Sequence, residues 1–178
     1  MNNWNGKPYH SLDYMLRERF GEKVYKVTLN GGMSCPNRDG TIGHGGCIFC
    51  SEGGSGDFAA SAALSITRQI DSQIEMLSAK RPIHKYIAYF QAYTNTYAEL
   101  EGLKRKYEEA LQVDGVVGLV IGTRPDCMPE ELLRYLEELN RHTFLMVEYG
   151  IESASDETLR RINRGHTSVS YTHLRAHE

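Results

Sequence analysis

Three of the four cysteines lie in one glycine-rich stretch, residues 34–57. Cys47 follows Cys35 by twelve positions, and Cys50 follows Cys47 by three. No apolar period runs through the stretch, so we predict a loop, and its seven glycines let the backbone turn tightly. Thiolates are soft ligands that suit zinc and iron–sulfur clusters. The stretch is therefore predicted to bind a metal ion or a cluster.

Two kinds of site fit three thiolates. A structural zinc ion takes four ligands, so a zinc site would need His44 or Cys127 as the fourth. A [4Fe–4S] cluster on three cysteines instead leaves one iron open, and an open iron can bind a small molecule and act as a catalyst. The wide first gap and the missing second cysteine pair disfavour zinc. Cys127 by itself is typical of a small buried hydrophobe, and His44 of a solvated loop residue.

Composition limits the class of protein. The chain has 178 residues and is 40% hydrophobic, which suits one domain with one core. Its net charge of −3, with interspersed signs, gives no support for a polybasic nucleic-acid surface. No apolar run is long enough for a transmembrane helix, and the N-terminus lacks the apolar stretch of a signal peptide. We therefore expect a cytoplasmic protein with no membrane partner, whose cysteines serve metal binding or catalysis rather than disulfides.

Strand and helix patterns alternate along the chain. Four segments of strand length are apolar or aromatic, over residues 24–29, 84–91, 116–122 and 144–149. Amphipathic segments predict helices over residues 11–20, 62–79, 97–111, from Pro129 onward, and 155–164. Such alternation predicts an α/β fold with parallel strands and right-handed crossovers.

A polar segment follows each predicted strand. These segments are the cysteine loop and residues 91–95, 123–127 and 150–153. In parallel α/β folds the site lies at the carboxyl ends of the strands. Their convergence on one rim predicts a single site there.

The end of the sequence departs from this pattern. Four strands do not close a barrel, and the fourth would leave an unpaired edge, so we expect a part of a longer chain. Residues 170–178 are unrelated to the preceding pattern and resemble a translated sequencing-adaptor tail. The core domain is accordingly predicted over residues 1–167, with residues 168–178 unstructured.

The cysteine loop also resembles a known family. The stretch Cys-Pro-Asn-Arg-Asp-Gly…Gly-Gly-Cys-Ile-Phe-Cys is similar to the cluster loop of the radical S-adenosylmethionine (SAM) superfamily. The segments over residues 89–97, 122–126 and 148–153 match it as well. The lengthened first gap resembles the branch that includes the elongator catalytic subunits. The whole of residues 5–167 resembles the bacterial group often called YhcC-like.

The resemblance implies a parallel (β/α) partial TIM barrel, with about four of its six βα units in this chain. Cys35, Cys47 and Cys50 would hold the [4Fe–4S] cluster, whose open iron would bind S-adenosyl-L-methionine. An electron from a flavodoxin- or ferredoxin-type donor would cleave the sulfonium C–S bond and give a 5′-deoxyadenosyl radical, which abstracts hydrogen from a substrate. The resemblance does not name that substrate. Elongator-like relatives act on tRNA, so RNA remains a candidate.

The resemblance also implies cofactor contacts. Phe49 resembles the aromatic residue beside the adenine, and the turn Ala92-Tyr93-Thr94 takes the place of the segment that hydrogen-bonds the methionine amino group. Glu152 resembles the residue that contacts the ribose, with helix capping as its alternative. Arg164 resembles an arginine that meets the cofactor carboxylate, with an ordinary last-turn position in a helix as its alternative.

Arg124 is a further cofactor-binding candidate, and its alternative is a pair with Asp126 that fixes the loop. Two rival interpretations of the whole chain stay open at this point. One is a non-enzymatic, zinc-stabilised α/β module that binds a partner or RNA. The other is an inactive fragment of the radical SAM enzyme.

Overall fold

The computed structural model describes residues 4–79 and 82–175. Within them, four strands form one parallel sheet in the order β1-β2-β3-β4. The strands are β1 Val24–Leu29, β2 Lys85–Phe90, β3 Val116–Thr123 and β4 Phe144–Tyr149. The helices are α1 Leu12–Phe20, α2 Ile66–Ser78, α3 Leu100–Leu111, α4 Glu130–Asn140, α5 Asp156–Arg161 and α6 Ser168–Arg175. Each crossover from β1 to β4 carries one helix, so every strand ends at the same rim of the sheet.

Serine caps decide where three of the helices begin. The side chains of Ser11, Ser65 and Ser155 each accept a hydrogen bond from a backbone N–H in the first turn of α1, α2 and α5. The helix predicted from residue 62 therefore begins only at Ile66. Gly21, with φ 78°, ends α1 in the left-handed conformation.

The prediction of a helix over residues 155–164 is wrong at its C-terminal end. Helix α5 ends at Arg161, because Asn163 has φ 53° and Gly165 has φ 78°, and neither value continues a right-handed helix. Arg164 lies between them, so it is not a last-turn helix residue. Its side chain is 7% exposed and points into the protein.

The two faces of the sheet have different coverings. Helices α2, α3 and α4 bury the outer face in one apolar core, with Ile70, Leu103, Tyr107 and Leu132 among its most buried members. On the inner face, α1 covers only the amino-terminal half, where a second cluster contains Leu16, Val24, Ile87, Val120 and Phe144. The carboxyl-terminal half of the inner face is left for the polar side chains of a site.

The prediction that residues 168–178 are unstructured is wrong for most of the segment. Ser168–Arg175 forms α6, whose first N–H, that of Ser168, donates to Asp156 Oδ1 over 2.8 Å. This contact ties the start of α6 to the start of α5. Residues 176–178 lie outside the described residues. Among the helices that the structure describes, none is long and apolar enough to cross a membrane.

Candidate active site

A cavity of about 320 Å³ opens at the carboxyl ends of the four strands. Its wall combines the cysteine loop with the segments that follow β2, β3 and β4. Eight of the residues predicted from the sequence line it, namely Cys35, Cys47, Cys50, Tyr93, Thr94, Arg124, Glu152 and Arg164. The predicted convergence of polar segments on one rim is thus observed.

Two predicted cofactor residues lie outside the cavity wall. Phe49 is 52% exposed on the cysteine loop. Ala92 is fully buried, because Gly56 packs directly on it, and a Cβ at Gly56 would overlap the side chain of Ala92. Ala92 therefore holds the turn 92–94 under the cysteine loop through packing. Its backbone and the ring of Phe49 stay predicted cofactor contacts.

The cysteine loop is ordered by its own hydrogen bonds. The N–H groups of Arg38 and Asp39 both donate to the carbonyl of Cys35, over 2.8 and 3.2 Å, and the N–H of Cys50 donates to the carbonyl of Cys47 over 3.0 Å. Gly46 has φ 80°, and a Cβ there would lie 2.7 Å from Arg38 Nε. A side chain at Gly46 would therefore force apart the tight bend that presents Cys47.

The three thiols of the cysteine loop lie on one wall of the cavity. All four cysteines of the chain are free. In residues 4–79 and 82–175, no three His, Cys, Asp or Glu side chains lie close enough together to hold one metal ion. Zinc needs all its ligands within about 2.3 Å of one atom, whereas a four-iron cluster takes each thiolate on a different iron. Three thiols on one cavity wall match the set of separate iron ligands that such a cluster takes.

The two alternative zinc ligands lie outside this cavity wall. His44 is exposed on the cysteine loop. Cys127 is buried, and burial together with the carboxylate of Asp126 raises the pKa of its thiol to about 12. At neutral pH Cys127 is therefore a protonated, unreactive thiol.

Two non-glycine residues of the wall have left-handed backbones. Tyr93 has φ 62° and Glu152 has φ 66°. Such conformations cost free energy in residues other than glycine and collect at functional sites. Tyr93 is held there by its hydroxyl, which donates to the carbonyl of Glu52 over 2.7 Å. The strain thus marks the same two positions that the sequence predicts as cofactor contacts.

Arg124 forms the pair that the sequence analysis left as its alternative. Its Nε and one terminal nitrogen donate to the two carboxylate oxygens of Asp126, over 2.9 and 2.8 Å. The other terminal nitrogen donates to the carbonyl of Arg164 over 2.8 Å. The side chain is 2% exposed, so Arg124 fixes two loops of the rim while also lining the cavity.

A charged cluster on the inner face of the strands was missed by the sequence analysis. Lys26 Nζ lies 2.8 Å from Glu148 Oε1, and the hydroxyl of Tyr89 donates to Glu148 Oε2 over 2.7 Å. Gly122 leaves the room for this link between β2 and β4, because β3 has no side chain there. Burial and the bond to Glu148 raise the pKa of Tyr89. The sequence feature that could have revealed this cluster is the presence of polar residues inside otherwise buried strands.

Comparison with known proteins decides the family. The sequence profile of the Radical SAM superfamily matches residues 38–172, well over half of the chain. The chain belongs to the radical SAM superfamily. The prediction of this family from the spacing and context of Cys35, Cys47 and Cys50 is confirmed.

The radical SAM chain has relatives among bacterial proteins. It is 50% identical to YtqA of Bacillus subtilis over 165 residues, and 45% identical to YhcC of Escherichia coli over 157 residues. These alignments cover 93% and 88% of this chain, but 51% and 50% of the two relatives. The predicted likeness to the YhcC group is confirmed, and the chain spans about half the length of these relatives.

A solved structure has a similar fold. It is the archaeal Elp3 of Methanocaldococcus infernus with an N-terminal deletion (1–46), with a TM-score of 0.53 and 23% sequence identity. The match covers 83% of this chain and 33% of that one. Together with the four parallel strands, it confirms the predicted parallel (β/α) partial barrel.

Proposed function

We propose that this chain is the cofactor-binding part of a radical SAM enzyme. Cys35, Cys47 and Cys50 would hold a [4Fe–4S] cluster, and the cavity beside them would take S-adenosyl-L-methionine. When bound, these groups supply a 5′-deoxyadenosyl radical that abstracts hydrogen from a substrate. The observation that carries the proposal is the placement of all three thiols on one cavity wall with Tyr93 and Glu152.

The remaining residues of the wall suit the polar groups of the cofactor. Glu152 is 34% exposed at its side chain, and its carboxylate can accept hydrogen bonds from hydroxyl groups. Backbone groups of the turn 92–94 are held at the cavity by two contacts with the cysteine loop. Ser55 Oγ donates to the carbonyl of Gln91 over 2.8 Å, and Tyr93 is bonded to Glu52. The turn is thereby positioned before a ligand arrives.

A cavity that surrounds a reactive radical must also limit access of water. Buried Thr94 and Arg124 line it, and so does the hydrogen-bonded pair of Tyr89 and Glu148. Burial raises the pKa of Glu148, but the hydrogen bonds from Lys26 and Tyr89 outweigh it and hold that pKa below its ordinary value. Glu148 is therefore ionised at neutral pH, and its two oxygens are held by Lys26 and Tyr89.

The proposal includes partners that the chain does not contain. A flavodoxin- or ferredoxin-type protein would deliver the electron, and the reaction belongs in a reducing compartment such as the cytoplasm, where free thiols persist. The substrate is an open part of the proposal. tRNA remains a candidate, although a net charge of −3 provides no basic surface for it.

Anaerobic reconstitution with iron and sulfide tests the proposal. We expect a brown protein with about four irons per chain, whose reduced EPR signal changes on addition of SAM and which releases 5′-deoxyadenosine with dithionite. Cys47→Ala should lose the iron, and Cys127→Ala is the matched control that should keep it. A colourless protein with one zinc ion per chain would overturn the proposal.

A further inference from the structure

Three arginines line the same cavity as the three cysteines. Arg164 donates directly to Cys47, whereas Arg38 and Arg124 lie on the wall that also carries Cys50 and Cys35. The three arginines come from different parts of the chain, namely the cysteine loop, the segment after β3 and the turn after α5. Three positively charged side chains therefore share one cavity wall with the three proposed ligands.

The contact at Cys47 is the most direct. Arg164 donates from one terminal nitrogen to Cys47 Sγ over 3.6 Å, and Asn37 Nδ2 donates to the same sulfur over 3.6 Å. All three residues are at least nine-tenths buried. The Cys47 sulfur is thus enclosed by two N–H donors, one of them charged, in a part of the cavity wall that is shielded from solvent.

The side chain of Arg164 uses three of its five N–H groups in this position. Its Nε donates to His166 Nε2 over 3.1 Å, and its other terminal nitrogen donates to the carbonyl of Gly150 over 2.6 Å. His166 accepts as a neutral ring, since burial lowers its pKa. These bonds fix the guanidinium beside the sulfur.

The other two arginines act through charge. Arg38 donates to the carbonyl of Glu52 over 3.1 Å and to that of Ser51, the residue after Cys50. Arg124 lines the same cavity as Cys35 and donates to both carboxylate oxygens of Asp126. Arg38 is half-buried and Arg124 is shared with Asp126. Both therefore act more weakly than Arg164.

We propose that these three arginines raise the reduction potential of a cluster bound to the three cysteines, and that Arg164 contributes most. The inference rests on the proposed function, because it needs the cluster to be present. One electron passes from a flavodoxin- or ferredoxin-type donor to the cluster, the donor is oxidised by one electron, and the cluster becomes one charge unit more negative. Positive charge and N–H···S bonds stabilise that reduced form.

An EPR-monitored redox titration of the reconstituted chain tests this inference. In Arg164→Gln the reduced-to-oxidised ratio at a given potential should fall at least tenfold, which is a midpoint about 59 mV lower for a one-electron couple. Arg161→Gln is the matched control, since it removes an exposed charge only three positions away, and its midpoint should equal that of the wild type. Arg38→Gln should shift the midpoint in the same direction by a smaller amount.

The outcomes separate this inference from the proposed function. If Arg164→Gln holds no cluster, the Arg38→Gln variant is measured in its place. A midpoint below that of the wild type in Arg38→Gln then supports the inference. Clusters that assemble with the wild-type midpoint in both variants would overturn the inference and leave the proposed function standing. A wild-type chain that holds no cluster would overturn both.

Discussion

Arg164 donates a hydrogen bond to the sulfur of Cys47 although the two residues are 117 positions apart. Neighbouring contacts join the same two loops. Asn163 Nδ2 donates to the carbonyl of Gly46 over 2.7 Å, and Asn37 Nδ2 donates to the carbonyl of Asn163 over 2.5 Å. The turn after α5, residues 163–165, therefore holds the cysteine loop in place. We call these contacts the clasp. The geometry of the thiols therefore depends on residues that are far apart in the sequence.

Adding a single methyl group at Gly165 should disturb the clasp and lower the free energy of unfolding. A Cβ there would lie 2.6 Å from Asn37 Oδ1, and Gly165 has φ 78°. Gly165→Ala should lower the free energy of unfolding by about 3 kcal/mol, because left-handed strain and overpacking add. Gly21 has the same φ of 78° with nothing within 4 Å of its Cβ position, so Gly21→Ala should cost only about 1–2 kcal/mol. Equal costs in urea unfolding would contradict the clasp.

Loss of one partner of the buried Arg124–Asp126 pair should strongly destabilise the fold. Asp126→Asn would leave a guanidinium that is 2% exposed without its counter-charge, so we expect a loss of about 3–5 kcal/mol in unfolding free energy. Arg134 and Glu130 form an exposed pair, with side chains 73% and 75% exposed. Glu130→Gln should therefore cost less than about 1 kcal/mol. Comparable losses in chemical denaturation would show that the buried pair does not fix the rim.

Local patterns predict the strands and the placement of the three thiols well. The strands over residues 24–29 and 144–149 have the predicted bounds, because a short apolar run leaves little choice of pairing face. Cys35, Cys47 and Cys50 share one cavity wall because the loop that carries them directly follows a parallel strand. Both features depend on residues that are near one another in sequence.

The parts of the site that were missed depend on distant residues. Lys26 and Glu148 are 122 positions apart, and only the sheet order places them on the same inner face. Arg164 was predicted inside or at the end of a helix, because no local sequence pattern indicates that Asn163 takes φ 53°. Its conformation is set by contacts with the cysteine loop, which a single-sequence pattern does not contain.

Cys127 should be the least reactive thiol of the cavity region. Its pKa is raised to about 12 by burial and by Asp126, whereas Cys35 and Cys50 are only partly buried. Because the thiolate is the nucleophile, alkylation of the cluster-free chain by iodoacetamide at neutral pH should modify Cys35 and Cys50 well before Cys127. Mass spectrometry of peptides at successive times measures the order. Early modification of Cys127 would contradict this prediction and make Cys127 a candidate ligand again.

Glu148 should make part of the stability dependent on pH. Its pKa is held below the ordinary 4.5 by Lys26 and Tyr89 despite burial. A carboxyl with a lowered folded-state pKa stabilises the fold above pH 4.5, and the contribution is lost as the pH falls through the folded-state pKa. Since the side chain is 37% exposed, Glu148→Gln should cost about 1 kcal/mol at neutral pH.

This cost should shrink when urea unfolding is repeated at acidic pH, because wild type and Glu148→Gln are then both uncharged at this position. Glu75→Gln is the control, since Glu75 is an exposed residue of α2. A cost in Glu148→Gln that is the same at neutral and acidic pH would show that the charge has no part in it.

The left-handed backbone of Glu152 should lower the stability of the chain, while its side chain should strengthen cofactor binding. Glu152→Gly would remove about 1–2 kcal/mol of strain at φ 66° and add a smaller unfolded-state entropy cost, so the cluster-free chain should gain up to about 1 kcal/mol in thermal unfolding. In the reconstituted chain the same change should weaken SAM binding about tenfold or more, because a carboxylate acceptor is lost. Glu152→Gln keeps the strain and loses the charge, so it should weaken binding without stabilising the chain. Wild-type SAM affinity in both variants, measured by calorimetry, would remove Glu152 from the cofactor site.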